Sequence, residues 1–211
     1  MEKVLVLGAG GQIARWVIEM LANKDDVRLT LFLRHAKKLR NAPANSQVVQ
    51  GDVLNREQLN HAMAGQDLVY ANLTGNDLDR QAKNIVDAMS AAKVKRLIFV
   101  ASLGIYDEAP GKFGEWNHRE IGPYLPPFRR AADVIEASEL NYTILRPAWL
   151  TDADEVDYET TERDEPFKGT EVSRKSVAAL IAKLIASPRL FPRSNLGVNK
   201  PHTDGDKPSF L

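Results

Sequence analysis

The chain has 211 residues, of which 44% are hydrophobic and 27% are charged, as expected for a globular protein with a buried core. Its 28 basic and 28 acidic side chains balance, so no basic excess favours general binding of nucleic acid. The absence of cysteine excludes disulfides, thiolate zinc sites and a cysteine nucleophile. We find neither a leader nor an apolar run of the ~20 residues that a membrane span requires, and we therefore expect a cytoplasmic protein.

Short apolar runs alternate with amphipathic stretches along most of the chain, beginning with a strand over Lys3–Leu7 and a helix over Gln12–Leu21. Further strands are predicted at Val27–Leu33, Gln47–Gln50, Asp67–Asn72, Arg96–Ala101 and Tyr142–Arg146. Further helices are predicted from Asn55, and at Gln81–Ala92, Phe128–Ala137 and Ser173–Ala186. This alternation indicates an α/β protein of the Rossmann type, in which helices cover both faces of a doubly wound, mainly parallel sheet.

The turn after the first predicted strand is rich in glycine, with Gly8, Gly11 and Ala14 in a G-x-x-G-x-x-A spacing. Such a turn between a strand and a helix lets backbone N–H groups and the positive end of the helix approach a pyrophosphate. A purely structural turn is the alternative. We predict that the turn and the helix start bind a dinucleotide, through Gly8, Gly10, Gly11, Gln12 and Ile13.

The end of the second predicted strand indicates which dinucleotide binds. An acidic residue there favours the ribose hydroxyl of NAD(H), whereas arginine favours the 2′-phosphate of NADP(H). The strand is followed by Arg34, Lys37, Lys38 and Arg40, with no carboxylate nearby. The sequence therefore predicts a preference for NADP(H), with contacts from Arg34 and Lys38, and keeps NAD(H) as the second choice. A solvated basic turn and a small nucleic-acid patch are the alternatives for this cluster.

The strand–helix pattern loosens after Trp149, and residues 152–165 are dense in acidic side chains, which predicts a solvated excursion. We expect residues 1–211 to form a single NAD(P)-binding domain. Within it, residues 1–150 would form the cofactor-binding core, residues 151–200 a small irregular C-terminal lobe, and residues 201–211 a polar tail.

Over almost its whole length the chain resembles an atypical short-chain dehydrogenase/reductase of the NmrA-like, NAD(P)H-binding group. The resemblance is carried by the stretches GAGGQIA, FLRHAKKL, GDVLN, ANLTG, RLIFVASLGIY and ASELNYTILRPAWLTD. It implies that Ser102 is the active-site serine, which orients a carbonyl group. The cofactor contacts that it implies are Asp52 and Val53 for the adenine, Asn72, Leu73 and Thr74 for the ribose and pyrophosphate, and Pro147, Ala148 and Trp149 for the nicotinamide. A helix-start role is the alternative for Asp52, and packing in the C-terminal lobe is the alternative for Trp149.

The resemblance fails at the acid–base pair of the family, a Tyr-x-x-x-Lys motif. There the tyrosine donates a proton, and the lysine lowers a tyrosine pKa that is ordinarily ~10. Tyr124 is in register with this tyrosine, but Phe128 stands where the lysine belongs. Pro126 and Pro127 favour a helix start at this point, so Tyr124 is either the catalytic tyrosine or an aromatic residue of a loop.

Two functions fit an intact phosphate turn beside an incomplete catalytic motif. The first is an NADP(H)-dependent oxidoreductase for a small carbonyl or quinone-like substrate, acting as a monomer or homodimer. The alternative is a non-catalytic, NADP(H)-sensing regulatory protein. We expect no nucleic-acid or membrane partner. We also expect no metal site, because His35, His61, His118 and His202 lack metal-ligand spacing. His118 is placed on the loop after the fifth strand, as an acid–base candidate or a surface residue.

Overall fold

The computed structural model describes residues 1–39 and 41–211, without the side chain of Lys38. The strands are β1 Glu2–Leu7, β2 Val27–Leu33, β3 Ser46–Gln50, β4 Leu68–Ala71, β5 Arg96–Val100, β6 Asn141–Pro147, β7 Trp149–Thr151, β8 Glu159–Thr161, β9 Glu171–Ser173 and β10 Ser194–Asn199. The α-helices are α1 Gln12–Leu21, α2 Arg56–Met63, α3 Leu78–Ala92, α4 Gly111–Ile121, α5 Leu125–Glu136 and α6 Arg174–Ala186. Two short 3-10 turns occupy Ala36–Lys38 and Gly122–Tyr124.

The main sheet has eight strands in the order β3-β2-β1-β4-β5-β6-β10-β8. All neighbours are parallel except β8, which pairs antiparallel with β10. The chain winds outward from β1 to β3, then returns to β4 and winds the other way, so the strand order reverses between β1 and β4. Open α/β sheets bind ligands at the carboxyl ends of the strands beside such a reversal.

The residues of β1 alternate between two hydrophobic layers. Val4 and Val6 pack in the layer that holds α1 and α6, whereas Leu5 and Leu7 pack in the layer that holds α2, α3 and α5. All four side chains are fully buried. A parallel sheet with helices on both faces requires this double burial, and the observed architecture confirms the predicted Rossmann-type fold.

Side-chain caps and prolines set several helix starts. The Asn55 side chain accepts a hydrogen bond from the Gln58 N–H at 3.1 Å, and α2 begins at the next residue. Helix α5 begins at Leu125, three residues before the predicted start, with Pro126 and Pro127 in its first turn. Proline is tolerated there because the first N–H groups of a helix have no acceptor within it.

Helix α4 was not predicted, and its segment was expected to be a loop. His118 therefore lies exposed on the last turns of a helix and not on a loop. The sequence signal for a helix is weak here, because Gly111 and Gly114 are poor helix formers and only Phe113 and Asn117 of this helix are buried. Gly114 is nevertheless required, since a Cβ there would lie 2.1 Å from the carbonyl oxygen of Ala109.

The segment predicted as an irregular C-terminal lobe adds two strands to the main sheet, β10 and β8, while β7 and β9 form a separate parallel pair. Gly197 interrupts the apolar pattern of β10, so this strand is not apparent from the sequence. The glycine is required by packing, because a Cβ there would lie 2.6 Å from the Phe167 ring. In the predicted polar tail, Ser209 donates its N–H and its hydroxyl to the Glu171 carboxylate at 2.6 and 2.9 Å. None of the helices in the described residues combines the length and apolar character needed to cross a bilayer.

Candidate functional site

The glycine turn lies where the ends of β1, β2 and β4 meet. Gly8 has a φ of +79°, a conformation that favours glycine, and a Cβ there would lie 2.1 Å from the Asn72 carbonyl oxygen. Its N–H donates to the Phe32 carbonyl at 3.0 Å, and the Asn72 N–H donates to the Leu7 carbonyl at 2.9 Å. The glycine thus lets the turn pack directly against the neighbouring strand ends.

The start of α1 has the features of an anion site. Its N-cap is Gly11, and within the described residues no side chain caps the helix and no acid occupies its first turn. The first helical hydrogen bond runs from the Arg15 N–H to the Gly11 carbonyl at 3.0 Å. The N–H groups of Gln12 and Ile13 precede that bond, so they are available to an anionic ligand. Ile13 can contribute only its backbone, because its side chain is buried.

A cleft of about 250 Å³ opens beside this turn, at the strand reversal. It brings together nine of the residues predicted to bind the cofactor: Gly8, Gly10, Gly11, Arg34, Asp52, Val53, Asn72, Leu73 and Thr74. The lining does not include the predicted residues Gln12, Ile13, Ser102, Pro147, Ala148 and Trp149. The glycine turn, the end of β2 and the segments after β3 and β4 therefore form one concave surface.

Arg34 is the basic residue after β2 that the structure places in the cleft. It is exposed, it lines the cleft beside His35, and no described carboxylate pairs with its guanidinium. Lys37 instead lines a separate depression with Arg15. The predicted contact of Lys38 depends on a side chain outside the described residues, and Arg40 lies outside them altogether.

Asp52 shapes a helix start and also lines the cleft. Its Oδ1 accepts a hydrogen bond from the Leu54 N–H at 2.9 Å, and its carbonyl accepts one from the Asn55 N–H at 2.9 Å. These bonds shape the start of α2. The residue also lines the cleft. The neighbouring Val53 is buried, and its carbonyl accepts from the Asn84 side chain at 3.1 Å.

Sequence reasoning missed Gln81, a polar residue of the cleft. It is only 9% exposed, and its amide donates to Asp77 Oδ1 at 2.8 Å and to the Thr74 carbonyl at 3.3 Å. These bonds tie α3 to the segment after β4. A signal was present, because Gln81 interrupts the apolar face of α3 between Leu78 and Ile85.

Ser102 lies at the same edge of the sheet but outside the cleft, two residues after the end of β5. Its partly buried hydroxyl donates to the Leu103 carbonyl at 3.1 Å. The Leu103 N–H donates to the Pro147 carbonyl at 3.2 Å, which joins this loop to the end of β6. The structure therefore places the Ser102 loop beside the end of β6, and the catalytic role of Ser102 stays a prediction.

Tyr124 is 68% exposed at the end of a 3-10 turn. Its hydroxyl has no hydrogen-bond partner among the residues that the structure describes. Phe128 follows in the first turn of α5 and packs against the core. Among the described residues, no cation stacks on the Tyr124 ring or bonds to its hydroxyl, and its catalytic role stays a prediction.

Tyr106, in the loop after Ser102, has its hydroxyl fully engaged. It donates to Glu136 at 3.2 Å and accepts from the Asn195 side chain at 2.8 Å. Burial and the Glu136 carboxylate raise the pKa of Tyr106 to about 12. At neutral pH this tyrosine holds its proton firmly, so it is poorly suited to acid–base chemistry.

A buried ion pair shapes the loop between Ser102 and α4. The Glu108 carboxylate accepts from the Gly104 N–H at 3.2 Å and from the Tyr106 N–H at 3.0 Å, and it pairs with the Arg146 guanidinium. The side chains of Glu108 and Arg146 are 5% and 0% exposed, respectively.

Within the described ranges, no group of three or more acidic, histidine or cysteine side chains could hold a metal ion.

Comparison with known proteins supports this picture. The chain matches the NAD(P)H-binding family over residues 8–188. A Rossmann-fold NAD(P)-binding family protein of Shigella flexneri is 58% identical, with a TM-score of 0.87 and 100% of both chains covered. A short-chain dehydrogenase/reductase of Veillonella parvula, solved in complex with NADP, is 30% identical, with a TM-score of 0.91 and 99% of each chain covered. The uncharacterized sugar epimerase YhfK of Bacillus subtilis is 27% identical over 188 residues, which cover 83% of this chain and 79% of YhfK.

Proposed function

We propose that this chain, which belongs to the NAD(P)H-binding family, is an NADP(H)-dependent oxidoreductase that reduces a small carbonyl or quinone-like compound. The observation that carries the proposal is the cleft in which the glycine turn, the Asn72 segment and the Arg34 side chain meet. The Veillonella protein, which is similar over its whole length, was solved with NADP, and this supports the same cofactor here.

The residues of the cleft suit the parts of such a cofactor. The uncapped start of α1 offers N–H groups and a positive dipole end to the pyrophosphate. Arg34 offers an unpaired guanidinium to the 2′-phosphate, a charge-assisted contact of ~1.5–3 kcal/mol and hence about one to two decades of preference over NAD(H). One oxygen of Asp52 is used by Leu54, and the other is left for an adenine amino group.

The bound cofactor would supply a hydride, so a carbonyl that takes up this hydride and one proton becomes an alcohol while NADPH becomes NADP⁺. Ser102 would orient the carbonyl, since its hydroxyl can rotate away from the Leu103 carbonyl and donate to a substrate oxygen. The proton would come from solvent, with Tyr124 as the protein side chain predicted from the sequence for this role.

A specific observation also favours the second candidate, a non-catalytic sensor of NADP(H). Phe128 occupies the position of the catalytic lysine and packs against the core. Tyr124 is exposed, and among the described residues it makes no hydrogen bond to Ser102. A cofactor-binding protein without turnover would retain the cleft and lose this pair. The two candidates share the cofactor and differ in catalysis.

The deciding experiment is titration of the protein with NADPH and with NADH, followed by nicotinamide fluorescence and thermal unfolding. At about 100 times Kd, a ligand stabilises the fold by ~2.7 kcal/mol, or about 5–10 °C for a chain of this size. Arg34→Ala should weaken NADPH binding by about tenfold or more and leave NADH binding nearly unchanged. Lys37→Ala is the matched control, because Lys37 is an exposed basic residue that does not line the cleft.

Equal losses for NADPH and NADH in Arg34→Ala would contradict the phosphate assignment. If neither dinucleotide shifts the melting temperature of the parent chain, the proposed function is wrong. If NADPH does bind, its oxidation by a carbonyl compound distinguishes the enzyme from the sensor.

A further inference from the structure

Helix α4 and strand β7 bring three aromatic side chains into a row. The Phe113 and Trp116 rings are stacked, with centroids 6.2 Å apart and planes at 17°. The Trp116 and Trp149 rings are 4.7 Å apart with planes at 50°. Phe113 is buried, whereas both tryptophans are partly exposed while packing against the core. The row therefore runs from the interior to the surface and ends in a pair of accessible indoles.

A buried amide fixes this pair relative to the loop that carries Ser102. The Trp149 indole N–H donates to Asn117 Oδ1 at 2.9 Å, and Asn117 is 2% exposed. A Cβ on Gly104 would lie 2.6 Å from Asn117 Nδ2, so Asn117 packs directly on the Ser102 loop at a position that only glycine leaves open. The orientation of the Trp149 indole is thus set by Asn117, which itself packs on the loop that carries Ser102.

The tryptophan pair and Ser102 share one edge of the sheet. Trp149 follows the end of β6 by two residues. The last residue of β6, Pro147, accepts the hydrogen bond of the Leu103 N–H, next to Ser102. Trp149 and Ser102 thus follow the ends of neighbouring strands, which this hydrogen bond joins.

We infer that Trp116 and Trp149 form one wall of the substrate site, and that the substrate is a planar conjugated carbonyl compound that lies against the indole faces. This inference rests on the proposed function and narrows its substrate class. Aromatic faces bind a flat π-system better than a saturated group of similar size, because offset stacking and edge-to-face contacts add to the burial of apolar area. A role restricted to packing α4 on β7 is the alternative that the test must exclude.

The test compares a planar ligand with its saturated counterpart of similar size on NADP⁺-saturated protein, by isothermal titration calorimetry with 2-naphthoate and decahydro-2-naphthoate. Neither acid is reducible, so binding is measured apart from turnover. We expect 2-naphthoate to bind at least tenfold more tightly. Trp116→Leu should weaken it by about tenfold, the size expected for one aromatic contact, and leave NADP⁺ affinity unchanged. Trp16→Leu, on α1 beneath the Lys175 ammonium, is the matched control and should bind 2-naphthoate normally.

If Trp116→Leu does not fold, tryptophan fluorescence tests the same inference. The chain has three tryptophans, so Trp16→Phe retains only the proposed pair. Binding of 2-naphthoate should quench its emission, and no quenching at saturating ligand would overturn the inference.

Equal affinities for the two acids, no binding of 2-naphthoate, or unchanged binding in Trp116→Leu would also overturn the inference. The proposed function would survive these results if the protein still bound NADPH and oxidised it with an aliphatic carbonyl. Failure to bind NADP⁺ would remove both proposals together.

Discussion

The buried pair of Glu108 and Arg146 allows a stability prediction to be worked from the structure. In Glu108→Gln the carboxylate charge is lost, while the Arg146 guanidinium remains fully buried. Its other side-chain partner is the neutral amide oxygen of Asn195, at 2.8 Å from Nε, which cannot replace a counter-charge. Removing one partner of a buried ion pair costs about 3–5 kcal/mol, because a buried charge is left uncompensated. We expect Glu108→Gln to lower the free energy of unfolding by that amount.

Urea and thermal unfolding measure this loss, which corresponds to about 6–20 °C in melting temperature for a chain of this size. Asp133→Asn is the matched control, because its partner Arg129 and Asp133 itself are 45% and 51% exposed and such pairs contribute under ~1 kcal/mol. Adding Arg146→Met to Glu108→Gln should restore much of the stability, since no buried charge remains. A loss below about 1 kcal/mol in the single variant, or strict additivity in the double variant, would refute the reasoning.

Two further predictions concern the serine and the engaged tyrosine of the same loop. Ser102→Ala should abolish NADPH-dependent carbonyl reduction and leave NADPH affinity unchanged, with the exposed Ser90→Ala as control; full activity in Ser102→Ala would exclude the serine from the reaction. The pKa of Tyr106 is raised to about 12 from 10.0, so its contribution to stability is complete below pH 10 and is lost as the pH rises to 12. Tyr106→Phe should therefore show a shallower fall of unfolding free energy between pH 10 and 12 in urea titrations, and a slope equal to that of the parent chain would contradict the assignment.

Local signals were sufficient to predict most of the polar and glycine residues that line the cleft. The glycine turn can be recognised within one strand–turn–helix unit. Gly8 allows close contact with Asn72 at the end of β4, and β4 lies beside β1 in the sheet order. Arg34 and Asp52 follow strand ends, so their arrival in one cleft follows from the topology alone.

The other half of the site depends on contacts between distant segments. The Ser102 loop takes its shape from Glu108 and Arg146, which are 38 residues apart, and no periodic pattern indicates their pairing. Gly104 and Gly197 resemble turn residues in the sequence, but each makes room for a side chain from another element. Helix α4 and strand β10 were missed because each contains a glycine, Gly114 and Gly197 respectively, that tertiary packing requires.

The absence of the motif lysine has a chemical consequence for the proposed reaction. Without a positive neighbour, the ordinary pKa of a tyrosine near ~10 makes it a weak proton donor at neutral pH. Tyr106 is a poorer donor still, because burial and Glu136 raise its pKa to about 12. Reduction in this site must therefore depend more on how readily the substrate accepts a hydride than on assistance by a protein acid. Hydride addition to a quinone-like conjugated carbonyl gives a phenolate, whose negative charge is delocalised over the ring. Such a compound needs less assistance than an isolated aliphatic ketone, which gives a localised alkoxide. The tryptophan pair and the missing lysine, which are independent features of the chain, thus favour the same class of substrate.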